Sequence, residues 1–309
     1  MQGKLYSASL KITVVEFYFL LIIAVLHTSI SQAKPTITSG DTVVLEEHIE
    51  TIPTKTKEKS SSVLFPIDQL YPDYIANPLR STFSAQSLFF EKTSIANTSR
   101  RRFDLKLGGR LGLYRKNSWQ LTLEGGFHGQ FDADKSDDNI GWDGIYALSL
   151  DIRTSNTLAY RLGIHHISSH VGDELAERTG RQRINYTRQE TRAGIMWTFS
   201  PHWQSYAEIA WGHDLRNKSL QRPWRTEFGM QYEKPQYFFE QLGWYMAIDL
   251  SSYEENNWDV NTAMQMGVVS EQNKRHWRLG LEYYNGRSQL GEFFQDSEKY
   301  IGIGIWIDI

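Results

Sequence analysis

The feature that most constrains this chain is an alternation of apolar and polar residues that runs from about residue 81 to the last residue. The segment 300–309 shows it most clearly, because isoleucine occupies every odd position from 301 to 309. Successive side chains of a β-strand point to opposite faces, so this pattern predicts strands with one apolar face and one polar face.

We count about twelve such segments, and the connections between them alternate in length. The connections 115–118 and 154–156 are short, whereas 132–141 and 286–298 are long. An even number of antiparallel strands with short turns at one end and long loops at the other is typical of bacterial outer-membrane barrels. The sequence therefore predicts an all-β fold, a single antiparallel transmembrane β-barrel over residues 81–309.

Alternation alone would also fit a soluble β-barrel or sandwich. Two features favour a barrel whose apolar face meets lipid. Charges of both signs lie on the polar face, and they suit a wet, ion-paired interior better than a dry core. Tryptophans collect near the predicted strand ends, as in the aromatic girdles of membrane interfaces. The predicted interior charge network comprises Arg110, Glu124, Arg161, Glu190, Glu208, Arg225, Glu227, Arg278 and Glu282.

Two segments precede the predicted barrel. Residues 1–33 have a positive start, an apolar stretch at 17–26 that is too short to span a bilayer, and small residues before Ala33. They predict a signal peptide that is cleaved on export to the bacterial outer membrane, with an uncleaved anchor as the alternative. Residues 34–80 predict a periplasmic linker and an irregular, proline-rich lead-in, and the sequence leaves open whether it plugs the lumen.

The composition excludes several classes of function. The formal net charge is −3, so the chain has no basic footprint for nucleic acid. It contains no cysteine, which excludes thiolate metal sites and thiol nucleophiles. No phosphate-binding loop or serine-hydrolase elbow motif occurs, and we expect no cofactor. The expected partners are outer-membrane lipid, lipopolysaccharide and the barrel-assembly machinery, which would engage the C-terminal strand.

One stretch, residues 165–174, concentrates histidine, serine and acidic side chains. On the predicted strand 157–170, even positions face lipid, so His166 and Ser168 are neighbours on the outer wall. A histidine in that position can accept the proton of a serine that attacks an ester carbonyl. On the next strand, Gln189 is expected near the level of His166, where its amide could orient the imidazole. The simpler interpretation is a polar rim with no catalytic role.

The sequence His166–Ile167–Ser168 on an outer wall resembles two kinds of outer-membrane lipid hydrolase, outer-membrane phospholipase A and lipid A 3-O-deacylase. The resemblance implies hydrolysis of acyl esters in the outer leaflet by Ser168 and His166. Those enzymes usually continue with asparagine after the serine, whereas this chain has Ser169.

A broader resemblance rests on three stretches, 64–84, 165–174 and 184–188. Together they resemble the bacterial family known as domain of unknown function 1207, over nearly the whole mature chain. This resemblance implies an envelope protein that is secreted or held in the outer membrane. It also implies that the three stretches belong to one local structure.

The loop that follows the His-x-Ser strand is rich in charge. His170, Arg178, Arg181 and Arg183 are candidates for binding lipid or other anions, since guanidinium groups match phosphate geometry. A plain charged outer loop is the alternative, and so is a hard-cation site formed by His170 and the adjacent loop acids at 173 and 174.

Three functions remain open from the sequence. The first is an outer-membrane envelope barrel with a structural, binding or transport role. The second is an outer-leaflet lipid acyl-ester hydrolase that uses Ser168 and His166. The third is a pore for small solutes, which the paired charges of the predicted interior disfavour.

Overall fold

The computed structural model describes residues 62–239, 241–272 and 274–308. The predicted signal peptide, residues 1–33, lies outside the described residues, and so does the linker up to residue 61.

Thirteen strands and a few short helices make up the described chain. The strands are β1 (Ser62–Leu64), β2 (Phe83–Thr93), β3 (Arg101–Lys116), β4 (Trp119–Asp132), β5 (Asp138–Arg153), β6 (Leu158–Val171), β7 (Thr187–Ser200), β8 (Trp203–Leu215), β9 (Trp224–Phe239), β10 (Leu242–Tyr253), β11 (Val260–Gln272), β12 (Arg275–Arg287) and β13 (Ser297–Ile307). The helices are α1 (Asp173–Thr179) and two 3-10 turns, Glu254–Asn256 and Gly291–Phe293. In the part of the chain that the structure describes, none of the helices has the length and apolar character needed to cross a membrane.

Strands β2 to β13 form a closed antiparallel barrel. Each strand pairs with its sequence neighbours, and β13 pairs with β2, so that Ile303 lies opposite Ser87. Closure pairs every strand with a neighbour on each side, although residues 107–112 of β3 lie beyond the start of β2 and have no strand partner on that side within the described chain. The predicted all-β barrel of about twelve strands is therefore confirmed. The short β1 lies outside the ring and pairs with the end of β3, where Ser62 is opposite Lys116.

The two ends of the barrel differ. At the short-turn end, the connections are as brief as 117–118 and 201–202. At the long-loop end, they run as long as 172–186 and 288–296. This difference matches the rhythm seen in the sequence.

The two faces of the barrel wall also differ, as the alternation predicts. Leu162 and Ile303 face outward and are 55% and 51% exposed. Arg161, next to Leu162 in β6, is buried in the interior, and Glu227 on β9 is buried as well. The apolar residues thus coat the outside of a closed sheet, and the ionised residues fill its middle.

Arg225 on β9 is one centre of the interior charge network. Its guanidinium lies 2.8 Å from a carboxylate oxygen of Glu190, 2.6 Å from one of Glu208 and 2.5 Å from one of Glu227. These side chains are at most 3% exposed. A buried charge is costly unless opposite charge and hydrogen bonds compensate it, so the pairing stabilises the polar interior as a unit.

Glu124 on β4 is a second centre of the network. Its Oε1 lies 2.6 Å from Arg192, 3.2 Å from Arg161 and 3.7 Å from Arg110. Each of these four side chains is less than one-tenth exposed.

The last two members of the predicted network lie on β12. Arg278 pairs with Glu233 at 2.5 Å and with Asp308 at 2.6 Å. Glu282 accepts a hydrogen bond from the hydroxyl of Tyr300 at 2.6 Å. The structure thus places all nine residues named from the sequence inside the barrel.

The described part of the lead-in plugs the lumen. Tyr74 stacks on Tyr206 with ring centroids 3.8 Å apart, and the guanidinium of Arg161 lies over the Tyr71 ring at 4.4 Å. The backbone amide of Ile75 donates to the side chain of Gln231 at 3.0 Å. Prolines keep this segment out of the sheet, and its aromatic side chains fill the space that the strands leave.

A folded lid covers the long-loop end. Leu175 of α1 packs against Ile140, Val171 and Phe293 in one apolar cluster. The carboxylate of Glu292 accepts backbone hydrogen bonds from residues 184 and 186 at 2.9 and 2.8 Å, which ties the two long loops together. The sequence did not predict α1, because its seven residues are too few to show a helical period.

Candidate lipid-facing site on the outer wall

Strand β6 carries the candidate residues. Its odd-numbered side chains, from Ala159 to Val171, are buried, and its even-numbered ones face outward. His166, Ser168 and His170 are therefore three successive outward side chains near the long-loop end, and each of them is partly buried by its neighbours.

His166 lies between two side chains of the adjacent strands. Its ring stacks on Tyr146 of β5, with centroids 4.4 Å apart and planes inclined by 16°. Gln189 of β7 is its direct partner in the register on the other side. The Nδ1 atom of His166 is buried and has no hydrogen-bond partner among the described residues.

Ser168 contacts a different histidine from the one that the sequence suggests. Its Oγ lies 3.4 Å from Nε2 of His170, and no hydrogen bond joins it to His166 within the described chain. Both histidines are two residues from Ser168 on the same face, so alternation could not distinguish them. The ring packing of the two histidines determines which one contacts Ser168. The His166 ring stacks on Tyr146, whereas the His170 ring stacks on Trp142 with centroids 4.1 Å apart.

Ser168 lies beside a glycine on the β5 side, because its direct partner in the register is Gly144. A Cβ built on Gly144 would make only ordinary contacts, with Trp142 at 3.8 Å and with the backbone oxygen of Ser168 at 3.9 Å. The wall beside Ser168 therefore has room for one more methyl group at this position.

Ser169, where the two resembled hydrolases usually have asparagine, faces the interior. Its hydroxyl donates to Asp143 and accepts from the backbone amide of Glu292 at 2.7 Å. It thus links β6 to the lid and takes no part in the outward cluster.

Acidic groups near the outward cluster lie on different faces. Glu190 points inward, 3.3 Å from Nδ1 of His165 and close to Arg188 and Arg225. Asp214 on β8 is exposed and lies opposite Gln189, just before a bulge in the β7–β8 pairing. Alternation alone could not point to Asp214, because its position depends on that bulge and on β8, which is two strands away from β6.

The arginines of the long loop are matched by acids. Arg178 lies 2.5 Å from Asp138, and Arg181 lies 2.8 Å from Asp296. Arg183 pairs with Asp173, and both of these side chains are at least half exposed.

His170, the fourth member of the expected anion-binding set, belongs to β6 and not to the loop. No group of three or more His, Asp or Glu side chains within 62–239, 241–272 and 274–308 is arranged to hold a metal ion.

The fold and the outward cluster define a class, the closed antiparallel β-barrel of the outer-membrane type. Outer membrane phospholipase A from Escherichia coli is similar, with a TM-score of 0.54, 10% identity, and coverage of 78% of this chain and 95% of that chain. The outer membrane phospholipase of Salmonella typhi, a dimer with bound calcium, has a TM-score of 0.54, 11% identity, and coverage of 75% and 92%. At these identities the likeness shows the fold.

The chain belongs to the family described as protein of unknown function, domain of unknown function 1207, whose model matches residues 12–308. The family resemblance expected from the sequence is thereby confirmed. A search of curated proteins gave no match.

Proposed function

We propose that this protein is a bacterial outer-membrane barrel that works at its lipid-facing wall, where it hydrolyses acyl esters of outer-leaflet lipids. The observation that carries the proposal is the outward Ser168 hydroxyl, 3.4 Å from the imidazole of His170 on an apolar wall. Two proteins with a similar fold are phospholipases by name, which supports lipid as the substrate class.

The location in a membrane is supported by a continuous outward band of exposed apolar residues. Every barrel strand contributes at least one such side chain to the band. From β2 to β13 they include Phe89, Leu111, Leu123, Leu148, Leu162, Ile195, Ile209, Phe228, Met246, Met266, Leu281 and Ile303. Water would disfavour so large an apolar surface, whereas hydrocarbon suits it, and barrel closure pairs most of the strand backbone with neighbouring strands.

The proposal includes the orientation of the barrel in the membrane and its route of export. In barrels of this kind, short turns face the periplasm and long loops face outward, which places Ser168 in the outer leaflet. Residues 1–33 act as the cleaved export signal, and β13 is the strand that the barrel-assembly machinery engages. Lipid and lipopolysaccharide are then the natural surroundings of the site.

The reaction needs one hydroxyl and one imidazole. The imidazole accepts the Ser168 proton while Oγ attacks the ester carbonyl, and the proton then passes to the alcohol that leaves. A water molecule, deprotonated by the same imidazole, cleaves the acyl-serine ester and releases the fatty acid. His170 is in contact with Ser168 in the structure, whereas the resemblance implies His166, which has Gln189 as its direct partner in the register.

The test is the release of fatty acid from phospholipid or lipopolysaccharide in detergent micelles. Ser168→Ala should fold normally and lose activity by roughly a thousandfold or more, since removal of a serine nucleophile costs at least that much in related chemistry. Ser87→Ala is the matched control, because Ser87 faces outward on β2 without a histidine partner. Equal release by Ser168→Ala and the parent protein would remove the catalytic proposal.

The proton acceptor is identified in the same assay. His170→Ala and His166→Ala are compared separately, and the variant that reduces kcat most identifies the base. If Gln189 orients His166, then Gln189→Ala should reduce the rate of fatty-acid release roughly tenfold or more, because the imidazole would no longer be held in position. If neither histidine variant changes release, Ser168 does not act as a nucleophile.

A structural or lipid-binding role without catalysis is the second candidate function, and the filled middle of the barrel favours it over a pore. The space inside the barrel is divided into a cavity of about 50 Å³ near the lid and one of about 430 Å³ at the short-turn mouth. The lead-in and the Arg225 ion pairs fill the middle. This interior supports a closed barrel more than a pore for small solutes.

A further inference from the structure

A group of cations at the long-loop rim has a different character from the paired arginines of the lid. It comprises Lys92, Arg100, Arg101, Lys135 and Lys299, and we call it the β2–β3 rim cluster. Glu91 and Asp134 pair with Lys299 and Arg101, and Asp137 is a further partly exposed acid in the same turn as Lys135. Asp132 and Glu298 lie nearby but are buried, and Asp138 pairs with Arg178. The five cations therefore outnumber the three acids that are at least partly exposed and not paired outside the cluster, although the whole chain has a net charge of −3.

Two arginines of the cluster line a shallow recess in the barrel wall. Arg100 and Arg101 line it together with Phe89, Glu91 and Asp134, and its volume is about 500 Å³. Arg101 lies 2.7 Å from Asp134, but the Arg101 side chain is still 55% exposed. Arg100 is exposed and has no ion pair within the residues that the structure describes. Two neighbouring guanidiniums thus line one recess together with two carboxylates, of which Asp134 pairs with Arg101 and Glu91 with Lys299.

Two lysines of the cluster are direct neighbours across the β2–β13 pairing. Lys299 is the register partner of Lys92. Like charges opposite each other in a sheet repel, and Glu91, 2.6 Å from Lys299, offsets only one of the two. An anion bound between them would relieve the remaining repulsion.

The height of the cluster on the wall matches a lipid headgroup. Phe89 and Ile301 are paired with each other in the register, belong to the apolar band, and are 52% and 57% exposed. Arg101 is the partner of Phe89 on the other side, so the guanidinium begins where the band ends. Cations that border an apolar band sit at the level where lipid phosphates lie.

We propose that the β2–β3 rim cluster binds the phosphates of a phosphorylated outer-leaflet glycolipid of the lipid A type. Arg100 and Arg101 hold one phosphate through paired N–H donors, and the lysines neutralise the remaining charge. The proposal rests on the proposed membrane location and does not depend on hydrolysis at Ser168.

Binding is measured by titrating the folded protein in detergent with bisphosphorylated lipid A. Lipid A stripped of its phosphates, phosphatidylglycerol and inorganic phosphate are the comparison probes. Arg100→Gln, Arg101→Gln and Lys92→Gln should each weaken binding roughly fivefold, and the triple variant roughly a hundredfold. Asp134→Asn should strengthen binding, because it frees the Arg101 guanidinium from its carboxylate partner.

The control is Arg216→Gln with Lys218→Gln, which removes exposed cations from another loop of the same rim. A loss of affinity as large as that of the rim variants would show diffuse surface attraction and overturn the proposal. Equal binding of lipid A with and without phosphates would also overturn it, and so would equal or tighter binding of phosphatidylglycerol or phosphate. Flotation of the same proteins with phosphatidylcholine vesicles tests membrane insertion separately, so failure of the location and failure of the site are distinguishable.

Discussion

Replacing Arg225 by glutamine should be among the most destabilising single changes in this barrel. Arg225 is the shared partner of Glu190, Glu208 and Glu227, all of them buried. After the change, Glu190 keeps the guanidinium of Arg188 at 2.6 Å. Glu208 keeps only the hydroxyl of Tyr74 at 3.3 Å, so an ionised carboxylate is left without a cation.

The expected loss is about 3–5 kcal/mol in the free energy of unfolding, which is the usual cost of breaking a buried ion pair from one side. Arg183→Gln is the matched control, because Arg183 also pairs with an acid but is half exposed. Its loss should be at most about 1 kcal/mol, since solvent screens an exposed pair.

The assay is urea unfolding in micelles, followed by tryptophan fluorescence and by the mobility of the folded barrel on gels. A second variant, Arg225→Gln with Glu208→Gln, removes the stranded carboxylate and should recover part of the lost stability. The reasoning fails if Arg225→Gln costs no more than Arg183→Gln. It also fails if the double variant is less stable than the single one.

Two further outcomes follow from the described structure. Burial alone would raise the pKa of Asp308, just beyond β13, but the guanidiniums of Arg278 and Arg80 outweigh it and hold this pKa below its usual range. A carboxyl group whose pKa is lowered by folding stabilises the fold fully above its unfolded pKa of about 3.9, and this stabilisation declines as the pH falls from there towards the folded pKa. Asp308→Asn should therefore lower the free energy of unfolding at pH 7, and the loss should shrink progressively as the pH falls below about 3.9; a pH-independent loss in urea titrations would contradict this. In planar bilayers the folded protein should give no single-channel conductance, because Tyr74 and the ion pairs fill the lumen, and regular ion-conducting steps would show that this interior opens.

The sequence predicted the barrel because alternation is a local signal. The odd isoleucines of β13 and the even residues of β6 define an outward face without reference to any other strand. The charged residues on the opposite face then had to lie inside the barrel, where buried charges need ion-pair partners. The members of the interior network could therefore be listed from the sequence. Strand number and the alternation of turns and loops came from the same local pattern.

The sequence could not predict which side chains contact each other at the candidate site and in the long loop. Ser168 has a histidine two residues away on each side, and only the stacking of His166 on Tyr146 and of His170 on Trp142 decides which one it meets. The sequence suggested that the loop arginines were free cations, but in the structure Arg178 and Arg181 pair with Asp138 and Asp296, which are far away in the sequence.

The amino-acid sequence by itself determined that this chain closes into a barrel, which side of each strand faces outward and which side carries charge. The tertiary structure decided that the lead-in plugs the lumen, that α1 helps to form a lid, that Ser168 pairs with His170 and that a cluster of exposed cations forms on the β2–β3 rim. The physical reason is that the direction of a strand side chain depends on a period of two along the chain. Its partner depends on register and rotamers in strands that are far apart in sequence.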